Sequence, residues 1–154
     1  MRIMGAILSR LAKAAGKLLP SRIRRLRTLA WRVGHAGETA AADFLQNAGY
    51  DILCRNWRAP GRLGELDIVC RNDAGILCIV EVKTRRRRGG ADHRILMPIE
   101  AVDAAKRRHM RRATAALLRE MGNPDIPTRY DVVEVWSNHA GRPMALRHWP
   151  NLPA

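Results

Sequence analysis

Cysteine is scarce in this 154-residue chain: Cys54, Cys70 and Cys78 are all it has. An odd number with no CxxC pair excludes a disulfide scaffold and argues against a zinc knuckle. It fits a reducing, cytoplasmic setting. Long apolar runs are also missing, and no uncharged stretch approaches the roughly 18 residues of a membrane span. Acids are few: 14 Asp and Glu stand against 28 Lys and Arg, a net charge of +14. Lysine is scarcer still, at 4 of those 28, so the basic surplus is nearly all arginine. There is no internal repeat.

What is present suits one domain. Apolar residues make up 47% of the chain, enough for a core and too many for a disordered polymer. The basic excess points to a polyanion, either nucleic acid or an anionic membrane surface. It is unevenly spread. Residues 1–33 carry nine basic residues and no acid, and the remaining 121 residues carry 19 basic and 14 acidic ones. A basic arm, 1–33, therefore precedes a mildly basic domain, 34–154. Within the arm, apolar residues recur at helical spacing from Ile7 to Leu19, Pro20 ends that pattern, and Ser21 caps a second short helix through Leu29. Such an arm lies on a membrane, grips phosphates, or is a terminus with little order or upstream of the true start.

The domain reads as an α/β sandwich. Gly37 to Ala48 forms a helix with an apolar stripe of Ala41, Phe44, Leu45 and Ala48, stopped by Gly49. Strands follow at Tyr50–Arg55, Glu65–Cys70 and Ile76–Lys83, with Pro60 and Gly61 breaking the chain between the first two. The third is apolar until its end, as in a central strand covered on both faces. Arg85 to Gly90 reads as a basic loop. A long helix from Ile99 to Met121 carries Ile99, Val102, Lys106 and Met110 on successive turns. Strands at Arg129–Trp136 and Met144–Trp149 complete the order α-βββ-α-ββ around a mixed sheet.

The functional information concentrates between Glu65 and Lys83. The loop Asp73-Ala74-Gly75 puts Gly75 where a left-handed conformation is needed in a three-residue hairpin. That register pairs residues whose numbers sum to 148: Asp67 with Glu81, Glu65 with Lys83, Cys70 with Cys78. Two opposed carboxylates repel unless something compensates. A divalent cation such as Mg²⁺ does so. Lys83, on the same face as Glu81, steadies a water or developing negative charge. Acid, acid and lysine in this arrangement suit metal-assisted phosphodiester hydrolysis. The plainer alternative is a solvated Glu–Lys pair worth little.

The stretches Gly37-Glu38-x-x-Ala41, Gly49-Tyr50-x-Ile52-Leu53-x-Arg55-Asn56-Trp57-Arg58, Gly64-Glu65-Leu66-Asp67-Ile68-Val69 and Val80-Glu81-Val82-Lys83-Thr84-Arg85 closely resemble the YraN family of bacterial proteins. Its members resemble the restriction-endonuclease-like PD-(D/E)XK superfamily, and Holliday-junction resolvases in particular. The resemblance runs from about residue 34 to 149 and leaves the arm outside. It implies a restriction-endonuclease-like sandwich acting as a metal-dependent DNA endonuclease, with Mg²⁺ or Mn²⁺ as cofactor. It also implies roles. Asp67 is the central metal ligand, and Glu81 is the second, helped by the Val82 carbonyl. Lys83 positions or activates the attacking water, and Glu38 completes the site from the first helix. Asp67, Glu81 and Lys83 are thus the catalytic set. Glu65 stands behind the metal or simply partners Lys83. Leu66 occupies the place of the superfamily's proline. Resolvase likeness further implies branched DNA as substrate and a homodimer, because cutting a junction takes two symmetric incisions.

Arg85, Arg86, Arg87 and Arg88 follow Lys83 directly, and with Lys106 they are the expected nucleic-acid contacts, since guanidinium groups bind phosphate bidentately. A solvated charge run in an arginine-rich protein is the plainer account. No motif reads sequence, so selectivity would be for DNA structure. The tryptophans suit packing more than base stacking, with Trp57, between Arg55 and Arg58, the one candidate for stacking. His93 is a candidate proton donor. Two other classes of function compete with the endonuclease: a non-catalytic nucleic-acid-binding module of the same fold, and a membrane-peripheral or protein-interaction domain working through residues 1–33.

Overall fold

The most apolar run of the sequence forms the middle of the sheet. The computed structural model describes residues 21–86, 104–122 and 125–152. Its strands are β1 (Asp51–Arg58), β2 (Glu65–Arg71), β3 (Leu77–Arg86), β4 (Thr128–Ser137) and β5 (Pro143–Trp149), in the spatial order β1-β2-β3-β4-β5. Neighbours are antiparallel except β3 and β4, which are parallel. A parallel step needs a crossover, and α2 (Ala104–Glu120) lies in that connection. With α1 (Ser21–Asn47) the order is α-βββ-α-ββ, an α/β fold around a mixed sheet, as the sequence indicates.

The β2–β3 hairpin adopts the register read from its loop. Ile68 pairs with Val80, Val69 with Ile79, Cys70 with Cys78 and Arg71 with Leu77. Gly75 has φ 79° and donates its N–H to Asn72 O at 3.0 Å, and Asn72 N–H donates to Ile76 O at 3.2 Å. Cys54, Cys70 and Cys78 are all free thiols.

Each face of the sheet buries its own helix. On one, Ala41, Ala42 and Leu45 of α1 pack on Ile68, Cys70, Cys78, Val80, Val133 and Val135. On the other, Met110, Ala113 and Leu117 of α2 pack on Val69, Leu77, Ile79 and Val132. Burial of these side chains supplies most of the favourable free energy, at about 25 cal/mol per Å² of apolar surface. Ala48, expected in the α1 stripe, is exposed, because the helix ends one residue earlier. It ends in paired bonds from Gly49 N–H to Gln46 O and from Tyr50 N–H to Leu45 O, both 3.0 Å.

Two expectations are corrected. The short helix through Leu29 and the helix from Gly37 are one helix, α1. Only Gly34 and Gly37 interrupt the good helix formers between them, and a glycine costs about 1 kcal/mol without breaking a helix as proline does. Arg85 and Arg86, expected in a loop, extend β3 and pair with Trp136 and Ser137, whose backbone groups would otherwise lack that partner. The Ile7–Leu19 pattern of the arm, Arg87, Arg88, His93 and the Ile99–Val102 turn fall outside the described residues. No described helix is long and apolar enough to cross a membrane.

Asp131 of β4 fastens the last strand. It is fully buried. Its Oδ2 lies 2.9 Å from His148 Nε2, its Oδ1 accepts Asn151 N–H at 2.9 Å, and Arg129 Nε donates to both oxygens at 3.1 and 3.2 Å. Arg129 also donates to the Tyr50 hydroxyl at 2.7 Å. Burial alone would push the Asp131 carboxyl up. The bonds from His148, Asn151 and Arg129 outweigh it and hold the group below the usual carboxylate range.

Two tests follow from this packing. A methyl on Gly37 would collide with Thr84 Oγ1 and sit 3.1 Å from Thr84 Cβ, whereas one on Gly34 meets nothing within 4 Å. Gly34→Ala should therefore raise the free energy of unfolding in urea titration by about 0.4–1 kcal/mol, and Gly37→Ala should lower it by about 1–3 kcal/mol. Equal effects would refute the close seating of α1 on β3. Asp131, depressed in the native state, contributes stability that is complete above the ordinary carboxylate pKa and is lost as pH falls through its native value. Asp131→Asn should cost about 3 kcal/mol or more near neutrality. It should also flatten the acid limb of stability against pH below about pH 5. An unchanged acid limb would refute this role.

Candidate active site

The alternation of β3 sorts its side chains. Val80 and Val82 pack toward α1, and Thr84 abuts Gly37 of α1. Glu81, Lys83 and Arg85 therefore project to the α2 face. Glu81 is 4% exposed. A buried carboxylate demands compensation, and two ammonium groups provide it. Lys83 Nζ lies 3.0 Å from Glu81 Oε1, and Lys106 Nζ lies 2.8 Å from Glu81 Oε2. Lys106 reaches the site because α2 aligns it with its own buried stripe: 106, 110, 113 and 117 fall on one helix face.

The β2–β3 ladder stops at Ile68↔Val80, one step short of the expected Asp67↔Glu81 pair. There the Val82 N–H donates to Asp67 Oδ2 at 2.9 Å. The Asp67 carboxylate thus takes a backbone donor that a longer ladder would use. Asp67 Oδ1 has no hydrogen-bond partner among the described residues. Burial pushes the Asp67 acid up and the charge of Glu81 pushes it further, while the Val82 N–H and Lys106 draw it back; the group stands at about 7. Glu38 on α1 adds a smaller push in the same direction. For Lys106, burial works against the charge, but Glu81, Asp67 and Glu65 outweigh it and raise its pKa.

The structure brings Asp67, Glu81, Val82, Lys83 and Lys106 together. Glu38 bears on Asp67 through its field, and His35 Nδ1 stands 3.8 Å from its carboxylate. Among the described residues no three His, Cys, Asp or Glu side chains are close enough to hold one ion. Glu65 is not the partner of Lys83. It pairs with Arg58 Nε at 3.3 Å, its cross-strand neighbour on β1, while Lys83 turns to the buried Glu81. Arg85 Nε lies 3.4 Å from Glu134 Oε1, and Arg86 is exposed at the end of β3.

Sequence reasoning missed Glu134 and its surroundings. The signal was available: one acid within the apolar run Val132-Val133-Glu134-Val135, and Arg147 two residues from Trp149 on a strand. Trp57, the stacking candidate, instead packs against the α2-side core. Trp149 is the ring that carries a guanidinium, that of Arg147 at 3.8 Å from its centroid.

Asp67, Glu81 and Lys83, which meet where the ladder opens, lie in the motifs that carry the family resemblance, and comparison with known proteins shows the family. The family model described as "Uncharacterised protein family UPF0102" matches residues 37–135. A UPF0102 protein of Symbiobacterium thermophilum is 48% identical over 111 residues, 72% of this chain and 87% of its own length. One from Nocardia farcinica is 43% identical over 112 residues, covering 73% and 82%. One from Pseudomonas putida is 39% identical over 117 residues, covering 73% and 86%. The matched segment contains Glu38, Asp67, Glu81, Lys83 and Lys106, and the chain belongs to the UPF0102 family, also called the YraN family.

Proposed function

We propose that this protein is a divalent-metal-dependent endonuclease that hydrolyses DNA phosphodiester bonds and selects DNA structure rather than sequence. One observation carries the reading. Asp67 and Glu81 face a common space at the open end of the hairpin, Asp67 has an unpartnered oxygen there among the described residues, and Lys83 stands beside them. Mutual repulsion and burial leave Asp67 short of positive charge, and two carboxylates plus water suit Mg²⁺, which is often held by one or two acids.

Asp67 and Glu81 would hold the ion, with the Val82 carbonyl beside them and Glu38 reaching it through water. When bound, the ion supplies Lewis-acid activation of water and neutralises charge on the attacked phosphate. Lys83 orients the attacking water and offsets the negative charge that builds on the phosphate. Arg85 and Arg86 continue the strand and grip neighbouring phosphates, as the expected Arg87 and Arg88 would. The absence of any motif for reading bases supports selection by shape, with branched DNA and a homodimer the natural fit.

A second reading has its own observation. Both Glu81 oxygens are already held by ammonium groups. That closed network suits a nucleic-acid-binding module without catalysis, because an ion would have to compete with Lys83 and Lys106.

Purified protein with four-way, flap and linear DNA decides between them. Cleavage should require Mg²⁺ or Mn²⁺, and Asp67→Asn, Glu81→Gln and Lys83→Ala should each lower the rate about 10²-fold or more. Binding in EDTA should persist in Asp67→Asn and Glu81→Gln. Cleavage by Asp67→Asn at the wild-type rate refutes the mechanism, and binding without cleavage of any substrate favours the module. Independently of activity, saturating Mg²⁺ at about 100 times its Kd should raise the wild-type Tm by about 5 °C or more. It should leave Asp67→Asn unmoved. Equal shifts would place the ion elsewhere.

A further inference from the structure

Glu134 lies in the interior of β4 on the α2 face and is 3% exposed. Its surroundings explain why an acid occupies so costly a place. Oε2 accepts the indole N–H of Trp149 at 2.9 Å, and Oε1 lies 3.4 Å from Arg85 Nε. Trp149 in turn carries Arg147 over its ring at 3.8 Å. One buried carboxylate therefore governs two arginines from different strands. It attracts Arg85 through an ion pair at 3.4 Å, with no hydrogen bond at the buried Arg85 Nε. It holds Arg147 through the indole, whose face becomes more electron-rich when its N–H is bound by an anion, tightening the cation–π contact.

The register sets Lys83 and Arg147 in line across the sheet, with Arg85 two residues farther along β3. Glu134 pairs with Lys83 of β3 on one side and with Arg147 of β5 on the other. Two inter-strand spacings separate Lys83 from Arg147, about 10 Å of backbone. Duplex DNA offers a phosphate per strand roughly every 3.4 Å of axis, so cations this far apart reach different phosphates. A guanidinium whose carbon lies 3.8 Å from a ring centroid still has several N–H donors, enough to offer some to a phosphate. No acid pairs with Arg147 among the described residues.

We propose that Glu134 is a positioning residue that sets Arg85 and Arg147 in one cluster with Lys83, and that this cluster, continuing from the Asp67–Glu81 site toward β5, docks neighbouring backbone phosphates of DNA. This rests on the nucleic-acid reading above but not on cleavage. Glu134 touches no phosphate itself. Its effect is to fix the two arginines against the entropy of long side chains, so that less freedom is lost when a phosphate binds.

The experiment is DNA binding by the full chain in EDTA, with labelled duplex and four-way junction titrated across a salt series. Arg147→Gln should weaken binding about fivefold at 0.1 M salt and lower the slope of log K against log salt by about 0.9 on duplex. Arg71→Gln is the charge-matched control, because Arg71 pairs with Asp51 at the other end of β2. It should leave that slope unchanged. Glu134→Gln is the sharper test. Removing an acid from a basic surface tightens polyanion binding by simple Coulomb attraction, whereas loss of positioning weakens it, here by about threefold. The Gln side chain can still accept the indole N–H, and near-UV circular dichroism of the tryptophans checks the fold. An unchanged salt slope for Arg147→Gln, or tighter binding by Glu134→Gln, overturns the inference while leaving the endonuclease reading intact. Wild-type protein that binds neither DNA overturns both.

Discussion

Glu81 is a carboxylate removed from water and held between two ammonium groups, and the arrangement of the α2 face follows from that compensation. Leaving such a charge unpaired costs several kcal/mol, so the fold must bring cations to it. One comes from two residues along the same strand and points the same way. The other comes from α2, which can deliver Lys106 only if its apolar stripe is seated on the sheet. Packing of the helix and neutralisation of the acid are thus one event: the stripe that buries Met110, Ala113 and Leu117 ends, one turn earlier, in the ammonium that meets Glu81.

The sheet carries buried acids on both faces, and they are compensated differently. On the α1 face, Asp131 is saturated by Arg129, His148 and the Asn151 amide, and its acid is held low. That is the signature of a structural fastening. At the open end of the β2–β3 hairpin, Asp67 receives one backbone N–H, stands at about 7, and feels the charge of Glu81 across the gap where the ladder ends. An acid left short of positive charge in a polar recess is where a cation or a reacting group is best received. The contrast between a satisfied carboxylate and an under-satisfied one, within one sheet, separates scaffold from site.

Glu134 falls between these cases. Its partners are a half-buried indole packed on the α2-side core and a half-buried arginine, so it joins the core to groups at the surface. Together with Glu81 it makes the end of β3 a place where buried acids are paired with half-buried cations, Lys83, Lys106 and Arg85.

Much of this was fixed in the chain itself. The apolar run from Leu77 to Val80 marked the central strand, the Asp73–Gly75 loop set the hairpin register, and the 3,4-spacing of Lys106 with Met110 put that lysine on the sheet-facing side of its helix. Such features are local, since alternation, turn chemistry and helical periodicity act over a few residues. The sequence could not say where the ladder would stop, that Asp67 would claim the Val82 amide, that Glu65 would turn to Arg58, or that Glu134 would tie Arg85 to Trp149. Those outcomes depend on strands distant in sequence and on competition among several cations for a few buried acids. Only the assembled sheet, with its two helices in place and water excluded, sets the distances that decide which pair wins.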